Sequence, residues 1–313
     1  MYFPVSGVEV PVWLPPLVAF LISAFTSTGG VSGAFLILPF QVSILGFTTP
    51  AVSATNNIYN VVAIPSGVIQ YIKEGRMVWP LTWIVILGTL PGVFLGALIR
   101  INYLPNPSNF KIFAGFVLLY LGFRIVKDII FKNKHNAAVA EDKFKELVLQ
   151  NKQIEKETGK KIPLPKAIVK KFNLNHLVYE FHGDRFDVPT IKIFLISCIV
   201  GIVGGAYGIG GGAIMAPIYV AFFRLPVYTV AGAALMGTFI TSIAAVIFFQ
   251  ILAPFYPNIP IAPDWMLGAL FGIGGILGMY IGAKLQKYMP AKLIKWILGI
   301  CILFIAIKYI TGF

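Results

Sequence analysis

Acidic residues and histidines are scarce in this sequence, and almost none of them fall in its apolar parts. The 313 residues include 12 Asp or Glu and 3 His. Proton relays and cation pumps need such side chains within the membrane, and carboxylate, metal or Ser/His/Asp enzymes need them clustered. We therefore expect no catalytic residues, no metal and no cofactor. The acidic residues outside positions 141–187 are Glu9, Glu74, Asp128 and Asp264.

Charge of either sign is also low, which is typical of a membrane protein. Charged residues make up 12% of the chain and hydrophobic residues 58%, whereas soluble domains carry about 25% charged residues. The apolar residues form two blocks, at about 12–131 and 190–311, and each can hold several spans of about 20 residues. Cys198 and Cys301 lie in these blocks, where we expect packing rather than a disulfide.

A polar segment at 132–189 separates the two blocks. It holds twelve Lys or Arg, and this excess favours the cytoplasmic side of a membrane. The net charge of +13 comes mostly from this segment and from loops, so it does not predict nucleic-acid binding. The segment is either a solvated linker or a small module that contacts anionic lipid. The predicted parts of the chain are residues 1–131, 132–189 and 190–313.

The two apolar blocks are related to each other in sequence. Each opens with a glycine-rich run followed by a proline, and each carries further on three glycines spaced by four. Such glycine triplets suit close helix packing in lipid. An internal repeat is a common design in transporters, with the substrate site at the repeat interface. The aligned positions are Gly30 with Gly208, Gly33 with Gly211, Pro39 with Pro217, and Gly88, Gly92 and Gly96 with Gly274, Gly278 and Gly282.

Each block begins with a glycine-broken segment, at 12–46 and 190–223, that is too long for one span and suits a hairpin of two short helices. Loop charges support the hairpin, because the basic loop 284–295 is expected inside and the uncharged loop 254–263 outside. The predicted fold class is all-α and polytopic, with two inverted repeats, each a hairpin plus three transmembrane helices. One long tilted helix in place of each hairpin would instead make the repeats parallel. Ordinary spans are expected near 51–72, 78–100, 110–131, 228–252, 264–284 and 291–311.

Neutral hydrogen-bond donors surround both breaks. Non-helical backbone at membrane depth must line a cavity or be buried in protein, and free N–H groups at the start of a half-helix favour anions. Such a site would bind an oxyanion without a buried cation, because basic residues such as Arg100 lie near span ends and can reach the interface. The hydroxyls and amides could instead only join helices. The candidate residues are Thr28, Gly29, Gly30, Ser32, Gly33, Asn56, Asn57, Asn60, Tyr207, Gly208, Gly210, Gly211, Gly212, Thr238 and Thr241.

The glycine runs "GGVSGAFLILPF" and "YGIGGGAIMAPIYV", followed by "TPAVSATNNIYNV" and "YTVAGAALMGTFITS", resemble the TauE/SafE family of membrane proteins. The resemblance covers both apolar blocks. It implies a secondary transporter of small sulfur-containing oxyanions, such as sulfite, thiosulfate or organosulfonates, working by alternating access in the plasma or inner membrane. The segment 132–189 is longer than the resemblance leads us to expect.

Two other classes of function stay open at this point: a membrane-embedded enzyme, and a receptor or scaffold without transport. An enzyme would need acidic metal ligands or a nucleophile near the interface, and Glu74 and Asp264 are isolated in the sequence. A receptor would explain the segment 132–189 but not the paired breaks. The expected partners are a small anionic substrate and the lipid bilayer. A homodimer and a cytoplasmic partner of 132–189 also stay open.

Overall fold

Helices dominate the chain, and their order in the first part is repeated in the last. The computed structural model describes residues 1–28, 32–130, 136–159, 166–181, 183–285 and 291–312. A short antiparallel ribbon of β1 (Tyr2–Phe3) and β2 (Val8–Glu9) comes first. The helices that follow are α1 (Leu14–Thr28), α2 (Ala34–Ser43), α3 (Ala51–Lys73), α4 (Trp79–Asn102) and α5 (Pro107–Ile130).

The middle of the chain forms a small folded unit, which we call the linker module. It consists of α6 (Asn136–Thr158) and an antiparallel sheet in the order β3 (Ile168–Phe172), β4 (His176–Phe181), β5 (Asp184–Pro189). Its core forms between the sheet and the helix, where the ring centroids of Phe144 and Phe181 lie 5.9 Å apart. The described residues of the segment 132–189 therefore pack on one another, and their buried side chains are continuous with the hydrophobic core of the helix bundle.

The last part of the chain repeats the pattern of the first: one helix, a second and shorter helix, and then three longer ones. The helices are α7 (Thr190–Tyr207), α8 (Met215–Phe223), α9 (Val227–Leu252), α10 (Trp265–Leu285) and α11 (Ala291–Thr311). Each of them has its counterpart in the first part, so that α1–α5 correspond to α7–α11. Residues 29–33 and 208–214 separate the first two helices of each half, and we call these two segments the first and the second break.

Five helices in the described part of the chain, α4, α5, α7, α9 and α10, are long and apolar enough to cross a membrane. The helix α3 has 23 residues and a length of about 35 Å, which also exceeds the hydrocarbon thickness of about 30 Å. It is less apolar because its first half carries a cluster of buried amides and hydroxyls. The helical, polytopic fold class that the sequence predicts is confirmed.

Corresponding helices of the two halves run in opposite directions where they meet. α3 packs against α9 so that Gly67 lies beside Leu235 and Asn60 contacts Ser242. Sequence numbers rise along one helix while they fall along the other, so the pair is antiparallel. α5 and α11 pack in the same way, since Gly115 lies beside Ile310 and Gly122 beside Leu303.

Each glycine triplet packs against the first helix of the other half. A methyl group at Gly92 of α4 would overlap the carbonyl oxygen of Cys198 in α7, and one at Gly278 of α10 would overlap that of Phe20 in α1. The two backbones touch in both pairs because glycine has no side chain there. The prediction that the triplets serve close helix packing is confirmed. Cys198 is partly buried at this contact, whereas Cys301 is exposed and not a packing residue.

The linker module packs on one end of the helix bundle, where α3 ends and α4 begins; we call this the linker end and the opposite one the terminal end. The backbone N–H of Ala167 donates to the Gly75 carbonyl at 3.2 Å. The hydroxyls of Tyr179 and Thr229 lie 3.0 Å apart, which joins β4 to the first turn of α9. Burial raises the pKa of the Tyr179 phenol, so the group stays a neutral hydroxyl.

Each broken segment enters the bundle and leaves it at a single end, and that end differs between the two segments. α1 runs from the terminal end, and α2 returns to it, where the hydroxyls of Ser43 and Tyr309 lie 2.8 Å apart near the end of α11. α7 runs from the linker end, and α8 returns there, held to α7 by the hydroxyls of Ser197 and Tyr219 at 2.8 Å. The hairpins therefore open toward opposite ends of the bundle.

Candidate functional site

The polar first half of α3 passes between the two breaks. Since α3 packs against α9, α10 and the hairpin helix α2, its polar side chains are covered by protein rather than lipid. Buried polar groups need hydrogen-bond partners, and backbone that leaves a helix offers them. Five Ser, Thr or Asn side chains of α3 are at most 1% exposed: Ser53, Thr55, Asn56, Asn57 and Asn60.

Asn56 joins the two breaks through one side chain. Its Nδ2 donates to the carbonyl oxygen of Ala34, the first residue of α2, at 3.0 Å, and to that of Gly208 at 2.9 Å. Its Oδ1 accepts from Gln41 Nε2 at 3.3 Å. Gln41 is a buried part of this cluster that sequence reasoning missed, and the signal for it was a lone amide in the apolar run of α2.

Asn60 makes a second bridge one turn further along α3. Its Nδ2 donates to the Ile209 carbonyl at 3.0 Å and to Ser242 Oγ of α9 at 3.2 Å. Its Oδ1 accepts from Ser32 Oγ at 2.7 Å. One amide thus contacts residues of the first break, the second break and α9.

Gly208 ends α7 in a conformation that the sequence anticipates. Its φ of 90° lies in the left-handed region, where only glycine fits without strain. A methyl group there would also overlap Ser53 of α3. Gly210 has a φ of 77°, so the chain turns twice before α8 begins. The predicted break in the second half is therefore built by its glycines.

The helix α9 supports the second break from the other side. Thr241 Oγ1 accepts from the Gly211 N–H at 3.0 Å and donates to a carbonyl of its own helix. Thr238 Oγ1 donates within α9 at 2.8 Å and lies against Gly212, while the methyl group of Thr238 lies against Gly210. Both threonines lie at the break, as the sequence predicts, and each also satisfies a carbonyl of α9.

The first break is described only in part. Thr28 is the last residue of α1, while Gly29 and Gly30 lie outside the described residues. Ser32 donates to Asn60, and its Oγ also accepts from the Ala34 N–H at 3.3 Å at the start of α2. Gly33 immediately precedes α2.

Tyr207 and Asn57 occupy different environments. The Tyr207 hydroxyl donates to the Phe35 carbonyl at 3.1 Å, so this residue joins the end of α7 to the start of α2. Asn57 Nδ2 donates to the Ser53 carbonyl of its own helix at 2.9 Å. Its Oδ1 is buried without a hydrogen-bond partner among the described residues. Asn57 therefore contacts neither break through its amide donor.

The expectation that Arg100 reaches the membrane interface is wrong. Its side chain is 0% exposed, because the loops before α3 and after α4 fold over it. Its Nε donates to Ser53 Oγ at 3.3 Å, and its guanidinium lies 3.8 Å from the centroid of the Phe110 ring. Arg100 lies near the end of its span in the sequence, and that position does not indicate that two loops bury its side chain.

A groove of about 320 Å³ lies between α2 and α11, away from the asparagines. Its lining is largely apolar and includes Phe40 and Phe304, and none of the described candidate residues lines it. Within the described ranges, no three His, Cys, Asp or Glu side chains lie together as a metal site would require. The second break and the described part of the first contact the side chains of α3 directly.

Comparison with known proteins places this architecture in a family. The model of the family described as "Sulfite exporter TauE/SafE" matches residues 16–309. The chain belongs to the TauE/SafE family. It is 20% identical over 295 residues to the probable membrane transporter protein YunE of Bacillus subtilis, a match that covers 90% of each chain. A probable membrane transporter protein of Haemophilus influenzae is 30% identical over 121 residues, which cover 38% of this chain and 42% of the relative. No solved structure matches the chain.

Membership of the TauE/SafE family establishes a multi-pass membrane transporter rather than an enzyme. The resemblance inferred from the two glycine runs is confirmed. The TauE/SafE match spans both sets of five helices and the linker module between them. The asparagine-bridged breaks therefore lie inside the region that the family shares.

Proposed function

We propose that this TauE/SafE protein is a secondary transporter of small sulfur-containing oxyanions, such as sulfite, thiosulfate or organosulfonates, with its site between the two breaks. The observation that carries the proposal is the pair of asparagine amides that join both breaks. Asn56 bonds to Ala34 and Gly208, and Asn60 bonds to Ser32 and Ile209. A substrate that separates the breaks would meet these side chains first.

The chemistry of the cluster suits an oxyanion. Its side chains are amides and hydroxyls, which can donate hydrogen bonds to oxygen. The short helices α2 and α8 both begin at the breaks, and the N-terminus of a helix carries a partial positive charge that favours anions. The candidate site residues are the fifteen predicted from the sequence, with Asn56 and Asn60 at the centre.

Movement of the two halves would expose the donors. In the closed arrangement both asparagine Nδ2 groups donate to carbonyls of the second break, at 2.9 and 3.0 Å. Separation of the breaks frees these N–H groups, which an oxyanion can then accept. We propose that the halves are inverted repeats that rock about this site. The antiparallel packing of α3 on α9 and of α5 on α11 supports that relation.

The transporter is proposed to lie in the cell membrane with the linker module in the cytoplasm. The twelve Lys or Arg of the segment 132–189 support this side. The terminal end of the bundle would then face outward, and the second hairpin would open to the cytoplasm. The proposed route therefore runs between hairpins that open toward opposite sides.

A flux measurement tests the proposed function. The purified chain is reconstituted in liposomes, and uptake of sulfite, thiosulfate, sulfate and an organosulfonate is compared with that of protein-free vesicles. We expect saturable uptake of at least one sulfur oxyanion and competition among the carried anions. Absence of flux for all four, with protein that is folded by circular dichroism, would contradict the proposal and favour a receptor or scaffold.

A further inference from the structure

Arg100 is a buried cation surrounded by neutral partners. Its Nε donates to Ser53 Oγ, its Nη2 donates to the Thr48 carbonyl at 3.3 Å, and its Nη1 donates to the Leu104 carbonyl. The Phe110 ring covers one face of the guanidinium. Each of the three guanidinium nitrogens thus has one acceptor, but none of these partners carries a negative charge.

No carboxylate in the described part of the chain forms an ion pair with Arg100. Asp264, the buried acid at the same end of the bundle, accepts instead from Ser6 and from the Leu267 N–H in the first turn of α10. Carbonyl dipoles at the end of α4 offset part of the arginine charge. A buried charge without an opposite charge is nevertheless expensive to maintain.

The other fully covered arginine shows the usual arrangement. Arg76 at the linker end is 3% exposed, and its Nη2 lies 2.5 Å from Glu74 Oε2. Its guanidinium also lies 4.3 Å from the centroid of the Tyr71 ring. Both arginines therefore have an aromatic neighbour and little exposure, but only Arg76 has a carboxylate partner among the described residues.

Arg100 lies next to the second break. Ser53 Oγ, which accepts from Arg100 Nε, donates to the Tyr207 carbonyl at 3.2 Å in the last turn of α7. The Phe110 ring that covers Arg100 lies 6.3 Å from the Tyr207 ring, centroid to centroid. The cation is thus one side chain away from the break, on the side of the terminal end.

We propose that Arg100 is the specificity-determining cation of the transport route, and that it attracts the oxyanion between the terminal end and the breaks. This inference rests on the proposed function and deepens it. An anion that reaches Ser53 supplies the negative charge that the neutral surroundings of Arg100 lack. The guanidinium also offers several donors in a fixed plane, which matches the geometry of an oxyanion.

The test compares Arg100→Gln, Arg100→Lys and Arg76→Gln with the unaltered chain. Sulfite uptake into liposomes is measured over a concentration series, and the rise in melting temperature on addition of sulfite is measured in detergent. We expect Arg100→Gln to raise the half-saturating sulfite concentration roughly tenfold or more. The same variant should show no rise in melting temperature when sulfite is added. Arg100→Lys keeps the charge but loses the planar donors, so it should raise the half-saturating concentration by less than Arg100→Gln does. Arg76→Gln should lower the melting temperature and leave half-saturation unchanged.

The outcomes separate the two proposals. Suppose that the unaltered chain carries sulfite and that Arg100→Gln has the same half-saturating concentration. This result overturns the role of Arg100 and leaves the proposed function standing. An unaltered chain that neither carries nor binds any of the four anions overturns both. If Arg100→Gln does not accumulate, Arg100→Lys decides: a raised half-saturating sulfite concentration with intact folding supports the inference, because the planar guanidinium is then required, and an unchanged half-saturating concentration overturns it.

Discussion

Asn56 and Asn57 are neighbours in α3, but their amides have different partners. Asn56 Nδ2 bonds to a carbonyl of each half, whereas Asn57 Nδ2 bonds to the Ser53 carbonyl of its own helix. Both side chains are at most 1% exposed, so burial does not distinguish them. The difference in partners indicates that Asn56 couples the breaks and that Asn57 does not do so through its donor.

The pair provides a matched test at the residue scale. Asn56→Leu leaves two carbonyls without that donor, each at a cost of about 1–3 kcal/mol, and we expect it to lower the melting temperature and to abolish flux. Asn57→Leu leaves the bonds between the breaks in place, so a smaller loss of flux is expected. The measurements are thermal unfolding in detergent and liposome uptake, with protein level monitored. Unchanged flux in Asn56→Leu would exclude that side chain from the site.

At the scale of elements, the first helix of each half packs against a helix of the other half. α7 packs on α4, and α1 packs on α10, in each case across a glycine triplet. The close approach fixes where each hairpin lies and hence where its break meets α3. Substitutions at the triplets should therefore affect both stability and the geometry of the breaks.

Gly92→Val and Gly278→Val test this packing on the two halves. Each added side chain meets a backbone carbonyl of the facing helix, which cannot move without displacing that helix. We expect both variants to lose flux and to have melting temperatures lower by several degrees, because overpacking costs about 1–3 kcal/mol. Gly67→Ala is the control, since its methyl would meet the flexible end of Met279 at 3.4 Å. A normal melting temperature in either valine variant would contradict the close packing.

At the scale of the whole molecule, the linker module lies at one end of the bundle and the loop between α9 and α10 at the other. α9 begins beside Tyr179 of the module and runs away from it along α4, with Phe94 beside Phe248 near the far end. Asn175 in the module and Asn258 in the loop are both exposed. The two positions therefore lie at opposite ends of the helix bundle.

Cysteine labelling checks this arrangement in cells. Asn175→Cys and Asn258→Cys are introduced separately after Cys198 and Cys301 are replaced by alanine. A membrane-impermeant maleimide should label Asn258→Cys in intact cells and Asn175→Cys only after permeabilisation, because the basic module is expected to stay inside. If neither position is labelled in intact cells, parallel repeats are favoured and the inverted relation is contradicted.

The sequence by itself determined the class, the breaks and the family. Segregation of charge into 132–189 left two apolar blocks that can only be membrane helices, and glycine is the residue that both a left-handed turn and a backbone contact require. Gly208 and Gly92 were therefore predictable from residue type and spacing alone. The family likeness rests on the same glycine runs, which are local features of the chain.

Only the tertiary structure decided which side chains meet. Asn56 and Asn60 bond to Gly208 and Ile209, which lie some 150 positions further along the chain in the second half, and no local pattern reports such a pairing. Arg100 is covered rather than exposed for the same reason, since the Thr48 carbonyl and the Phe110 ring come from other parts of the chain. The sequence indicates where a residue lies along its own helix, whereas the burial of its side chain depends on which other elements pack beside it.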